Sequence, residues 1–92
     1  MRRPGIYRFP ANRRAEAATL AGQLRKLLEE TREALEAYEG KEGDARIIEE
    51  LWDVIQAAEG ALRKFPLLAV IKGLAMVKIK SRQRGDYRKE AR

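Results

Sequence analysis

The chain has 92 residues, 20 of them Lys or Arg and 14 Asp or Glu, for a net charge of +6, and it contains neither cysteine nor histidine. Disulfides and thiolate zinc sites are therefore excluded, and any metal must be held by oxygen. A chain this short makes one small domain with a limited core, and such domains often rely on oligomerisation. No apolar run approaches the roughly 20 residues needed to span a bilayer. Phe65 to Val77 is the most apolar stretch, and Lys72 interrupts it. The arginines near the start are not followed by an apolar signal core. The expectation is a soluble cytoplasmic protein with no membrane partner.

Residues 1–11 hold Pro4, Gly5 and Pro10 around Ile6-Tyr7-Arg8-Phe9 and read as an extended arm or short edge strand. Asn12 is a suitable N-cap for a long first helix, Arg13 to Glu39, with an apolar stripe of Leu20, Leu24, Leu27, Leu28, Leu35 and Tyr38. Gly40 is a natural stop, and Gly40-Lys41-Glu42-Gly43 is the expected turn. Asp44 can cap a second helix to about Lys64, with Ile47, Ile48, Leu51, Val54, Ile55, Ala58 and Leu62 as its stripe. Phe65-Pro66 breaks the pattern, and Pro66 suits the first turn of a third helix ending near Gly85. Residues 86–92 form a polar tail. The expected fold is all-α: a helical hairpin plus a third helix over residues 12–85. Three helices where a bundle wants four predict completion as a four-helix-type bundle in a homodimer or homotetramer.

Charge is strongly segregated. Between Ala15 and Leu62 there are 12 acidic and 5 basic residues, and outside that span 15 basic and 2 acidic. The acidic middle contains two mirrored pairs, Glu30-x-x-Glu33 and Glu50-x-x-Asp53. A three-residue step keeps each pair on one helix face. Folding at Gly40–Gly43 sets Glu30 level with Asp53 and Glu33 level with Glu50. With the apolar seams centred on Leu24 and Leu51 and facing each other, Glu30 and Glu50 fall about 100–120° to the same side. Such a patch lies off the seam and needs a cover, from the third helix or a second subunit. Four converging carboxylates demand a compensating cation, and hard oxygen ligands on rigid helices suit Mg²⁺ or Mn²⁺. Against this stands the ordinary use of Glu on amphipathic helix surfaces, where Glu29, Glu36, Glu49 and Glu59 are placed.

The spacing E-x-x-E then E-x-x-D, within Lys-Leu-Leu-Glu-Glu-Thr-Arg-Glu-Ala at 26–34 and Glu-Glu-Leu-Trp-Asp-Val-Ile at 49–55, resembles the MazG-like all-α nucleotide pyrophosphohydrolases. Lys80-Ser81-Arg82-Gln83-Arg84-Gly85-Asp86-Tyr87 resembles that family's basic closing motif, with Ser81 where the family often has Asn. The resemblance spans roughly residues 20–87. It implies that Glu30, Glu33, Glu50 and Asp53 hold Mg²⁺, and that a nucleoside triphosphate is split at its α–β linkage into a monophosphate and pyrophosphate. Lys80 and Arg84 would then meet phosphate, although cations near a helix end also favour the macrodipole. Tyr87 would stack on base or sugar. Lys72 either reaches a phosphate or snorkels from its apolar face, the second being favoured. Trp52 either stacks on a base or packs at a subunit interface, again with the second favoured. The competing reading is a non-catalytic helical module whose basic arms contact nucleic acid or a partner protein. Nucleic acid is the poorer fit, because the acidic centre repels phosphate without metal.

Overall fold

The computed structural model describes residues 5–88. These form four helices: α1 (Arg13–Ala17), α2 (Leu20–Glu39), α3 (Asp44–Leu62) and α4 (Leu67–Gln83). Among the described residues there is no strand, so the all-α expectation holds and the edge-strand alternative for the arm does not. Residues 1–4 of the expected arm and 89–92 of the expected tail lie outside the described residues.

The expected continuous helix from Arg13 to Glu39 is broken at Ala18–Thr19. Asn12 caps α1 as anticipated, its Oδ1 accepting from the Ala15 amide at 3.1 Å. Thr19 then begins a new helix, with extended backbone and its Oγ1 accepting from the Gly22 amide at 3.0 Å. Ala18 is extended as well. Lys64 holds the break in place: its Nζ donates to the Ala15 carbonyl at 2.8 Å and also to the Ala18 carbonyl. A cation on the last carbonyls of a helix satisfies both the open acceptors and the macrodipole. The break lets α1 turn back over α3, where Ala15 meets Gly60. A Cβ at Gly60 would fall 2.9 Å from the Ala15 Cβ and 2.8 Å from Gln23 Nε2, so this close approach requires glycine.

α2 and α3 make the expected antiparallel hairpin. At the end of α2, the Glu42 amide bonds the Ala37 carbonyl at 3.0 Å and the Lys41 amide bonds Tyr38 at 3.1 Å. This pair is a Schellman closure, and its left-handed residue is Lys41, with φ 56°. Glycine is the residue that adopts this conformation without steric cost. Lys41→Gly is therefore expected to stabilise the fold by about 1 kcal/mol, somewhat offset by unfolded-chain entropy. Thermal denaturation followed by circular dichroism checks this; an unchanged or lower Tm would refute it. Gly43, at φ 98°, is the N-cap of α3 and makes no side-chain cap. Asp44, expected as the cap, is instead the first helical residue, where its charge still favours the helix N-terminus. Pro66 likewise sits at the N-cap of α4, one position earlier than expected.

The largest departure is in helical phase. The leucine and isoleucine stripes of α2 and α3 do not face each other. Leu24, Leu28 and Leu35 on α2 and Ile48, Leu51 and Ile55 on α3 are all exposed, Leu28 to 58%. The buried contact instead uses small and polar residues: Gln23, Glu30, Ala34 and Ala37 from α2 against Glu50, Ala57 and Ala61 from α3. Gln23 Nε2 donates to the Ala57 carbonyl at 3.0 Å across it. Alanines let two backbones approach closely, so the small-residue faces meet and each apolar stripe is turned aside by roughly 100°. The offset has the same sense on both helices, and both stripes emerge on one side of the hairpin.

α4 is apolar around most of its circumference, yet Val70 is its only buried apolar side chain among the described residues. Leu68, Ile71, Leu74, Met76 and Val77 are exposed, Leu68 to 64%. No helix among the described residues is long and apolar enough to cross a membrane.

Candidate metal centre

The phase shift places the carboxylates inside the hairpin, not beside it. Glu30 is buried, Glu50 is only 2% exposed, and Asp53 is half-buried. One carboxylate oxygen from each of these three lies within 4.8 Å of the other two. Octahedral Mg²⁺ at 2.0–2.1 Å would set adjacent ligand oxygens about 2.9 Å apart, so the three side chains would have to close in on the ion. Glu33 is partly exposed and lies outside this trio but within its field. The Glu30 charge, then partial desolvation, then Glu50 push the Glu33 carboxyl above its usual range.

Two cations serve the trio from within the helices. Lys26 Nζ is 2.7 Å from Glu30 Oε1, and Arg46 Nη2 is 2.6 Å from Glu50 Oε1, each an i,i+4 pair. The hydrogen bond to Glu30 holds Lys26 more firmly protonated. Arg46 is shared, since it also reaches Glu49 at 2.7 Å and Glu42 at 3.7 Å. These cations do not satisfy the centre. Glu50 Oε2 is buried with no hydrogen-bond partner. A buried carboxylate oxygen without a donor is costly. Asp53 makes no ion pair among the described residues. An all-oxygen donor set with one orphaned buried oxygen fits a hard divalent cation.

Beside the trio lies a cleft of about 190 Å³ lined by residues of α1, α2 and α3, including Glu30 and Asp53. None of the residues expected to meet substrate lines it. Lys72 and Lys80 are exposed on α4, and Arg84 beyond it pairs with Asp86 at 3.1 Å. Tyr87 is half-exposed. Trp52, also about half-exposed, meets the Phe9 ring edge-on with centroids 6.2 Å apart.

Glu59, expected on plain surface, is buried and organises the N-terminal segment. Its carboxylate accepts from the Arg8 amide at 2.9 and 3.1 Å and from the Phe9 amide at 3.0 Å. One helical turn on, Arg63 donates to the Phe9 carbonyl at 3.0 Å and stacks its guanidinium 4.2 Å from the centre of the Tyr7 ring. Sequence patterning missed this because a lone Glu at a polar helix position gives no sign of its partner. The nearest signal was the run Ile6-Tyr7-Arg8-Phe9, too apolar for an undocked arm.

No protein-family model matches this chain, and no match is found among curated proteins or solved structures.

Proposed function

We propose that the chain is a Mg²⁺-dependent nucleotide pyrophosphohydrolase, splitting a nucleoside triphosphate into a monophosphate and pyrophosphate. The observation that carries this reading is the orphaned Oε2 of Glu50 inside a trio of carboxylates drawn from two facing helices. Glu30, Glu50 and Asp53 are the residues that would hold the metal, with Glu33 beside them. A bound Mg²⁺ would supply charge neutralisation at phosphate and a more acidic water. Glu33, partly exposed beside the trio, would orient that water and accept its proton in the absence of histidine. Lys26 and Arg46 pair with the buried carboxylates of Glu30 and Glu50 at 2.7 and 2.6 Å. The all-helical fold and the mirrored E-x-x-E and E-x-x-D pairs support the resemblance to the MazG-like enzymes.

The working unit in this reading is a homodimer or a homotetramer. The exposed stripes of α2 and α3 form one apolar face, and α4 presents another, more than a monomer of this size ordinarily leaves to water. Docking α4 of one copy on the hairpin of its mate completes a bundle and carries Lys80, Arg84 and Tyr87 toward the partner's carboxylates. The test is release of monophosphate and pyrophosphate across the common ribo- and deoxyribonucleotides, with Mg²⁺, Mn²⁺ or chelator. Metal-dependent release from at least one is expected. No release from any, by a chain that sediments as a 10.5 kDa species at micromolar concentration, would sink the reading.

A further inference from the structure

The cleft beside the carboxylates has two kinds of wall. Glu30 and Asp53 supply negative charge, Arg14 and Lys26 supply positive charge, and Asn12 and Gln56 add amides. Arg14 joins this wall because the helix breaks at Ala18–Thr19 and α1 folds back over α3. α1 is fixed there by the Asn12 cap, by Lys64 on its last carbonyls, and by the Ala15–Gly60 contact. Arg14 therefore stands on an anchored element.

We infer that this cleft is the subsite for the pyrophosphate portion of the substrate, received by Arg14 and Lys26. The inference rests on the metal reading above and adds to it the residues that take the anion. Charge balance motivates it. Two carboxylates against two cations leave the cleft near neutral, and a divalent cation on the carboxylates turns it positive. The same event frees Lys26. Its Nζ is held by Glu30 at 2.7 Å and its side chain is half-exposed. Once Glu30 turns to the metal, the ammonium faces the cleft without a partner and is available to a phosphate oxygen. Arg14 offers the planar fork that binds phosphate oxygens in pairs.

Size sets what enters. At about 190 Å³ the cleft is smaller than the roughly 300–1,000 Å³ of pockets that enclose a whole drug-sized ligand. It takes the pyrophosphate group and leaves sugar and base outside. Binding there is therefore indifferent to the base.

The experiment uses the full chain with Mg²⁺ and inorganic pyrophosphate as the probe, by titration calorimetry. Wild type is expected to bind pyrophosphate only with Mg²⁺ present. Arg14→Gln should weaken that binding about tenfold or more, the usual cost of losing one charge-assisted contact. Lys26→Met should weaken it similarly while binding Mg²⁺ alone at least as tightly as wild type, because a competing cation has been removed. Arg13→Gln, on the same short helix but outside the cleft, should change neither. If Mg²⁺ binds normally and pyrophosphate affinity is unaltered in both Arg14→Gln and Lys26→Met, the subsite is wrong and the metal reading stands. A loss confined to a Lys80→Ala, Arg84→Ala variant would likewise overturn it, moving the anion to α4. Failure of wild type to bind Mg²⁺ at all would overturn both.

Discussion

Asp53→Asn is expected to abolish metal-dependent hydrolysis, by at least about 100-fold, while leaving metal-free stability equal to or above wild type. Loss of groups that merely orient a ligand typically costs 10–100-fold, and Asp53 would be a ligand itself. The stability half of the expectation comes from its surroundings. Asp53 has a carboxylate oxygen within 4.8 Å of those of Glu30 and Glu50 and no ion pair among the described residues. Removing its charge relieves repulsion and breaks no salt bridge. Glu50→Gln should also silence turnover, but it strips Arg46 of its 2.6 Å partner and so gains less in stability. In wild type, Mg²⁺ should raise Tm; a ligand at 100 times its Kd adds about 2.7 kcal/mol. That increment should vanish in both variants. Glu36→Gln, on exposed helix surface, should alter neither turnover nor the Mg²⁺ increment. Full metal-dependent activity in Asp53→Asn would disprove the assignment.

Glu59→Ala is expected to be the most destabilising single change away from the carboxylate trio, by about 2–4 kcal/mol. Two backbone amides, of Arg8 and Phe9, donate to its carboxylate, and bonds to a charged acceptor are worth about 1.5–3 kcal/mol each. The cost is less than their sum, because the released segment regains water. Detachment also exposes Tyr7 and undoes the Arg63 stacking. Glu59→Gln keeps one acceptor oxygen and should lose about half as much. Trp52 provides the readout. It is the only tryptophan in the chain and touches Phe9 in the docked segment. Glu59→Ala should therefore shift its fluorescence even under conditions where the helices persist. Unchanged emission together with an unchanged Tm would show that Glu59 does not hold the segment.

The hairpin was legible because its signals are local. Gly40 through Gly43 is a turn in any context, and a three-residue step keeps each carboxylate pair on one face of its own helix. The rotation decides which members meet: Glu30, Glu50 and Asp53 do, and Glu33 stays outside. What patterning misread was the rotation. A hydrophobic stripe is expected to face the nearest neighbour, which centres the seams on Leu24 and Leu51. The face that packs contains Ala34, Ala37, Ala57 and Ala61 with buried Gln23, Glu30 and Glu50, and it carries almost no hydrophobic signal. Its signature was spacing of small residues, at three on α2 and four on α3. The break at Ala18–Thr19 was silent for a different reason. Neither residue is a strong breaker, and the interaction that fixes the break comes from Lys64, nearly fifty residues away.

The uncovered apolar surface of α4 bears on what folding means for this chain. A helix of 17 residues is marginal on its own in water, and here packing within the chain buries only Val70 among its apolar side chains. In the proposed homodimer or homotetramer, contacts between molecules would supply much of what stabilises it. In that assembly the free energy of unfolding would be a property of the solution and not of one polypeptide, rising with the logarithm of concentration. Dilution should melt α4 before the α2–α3 hairpin, turning a single cooperative transition into two.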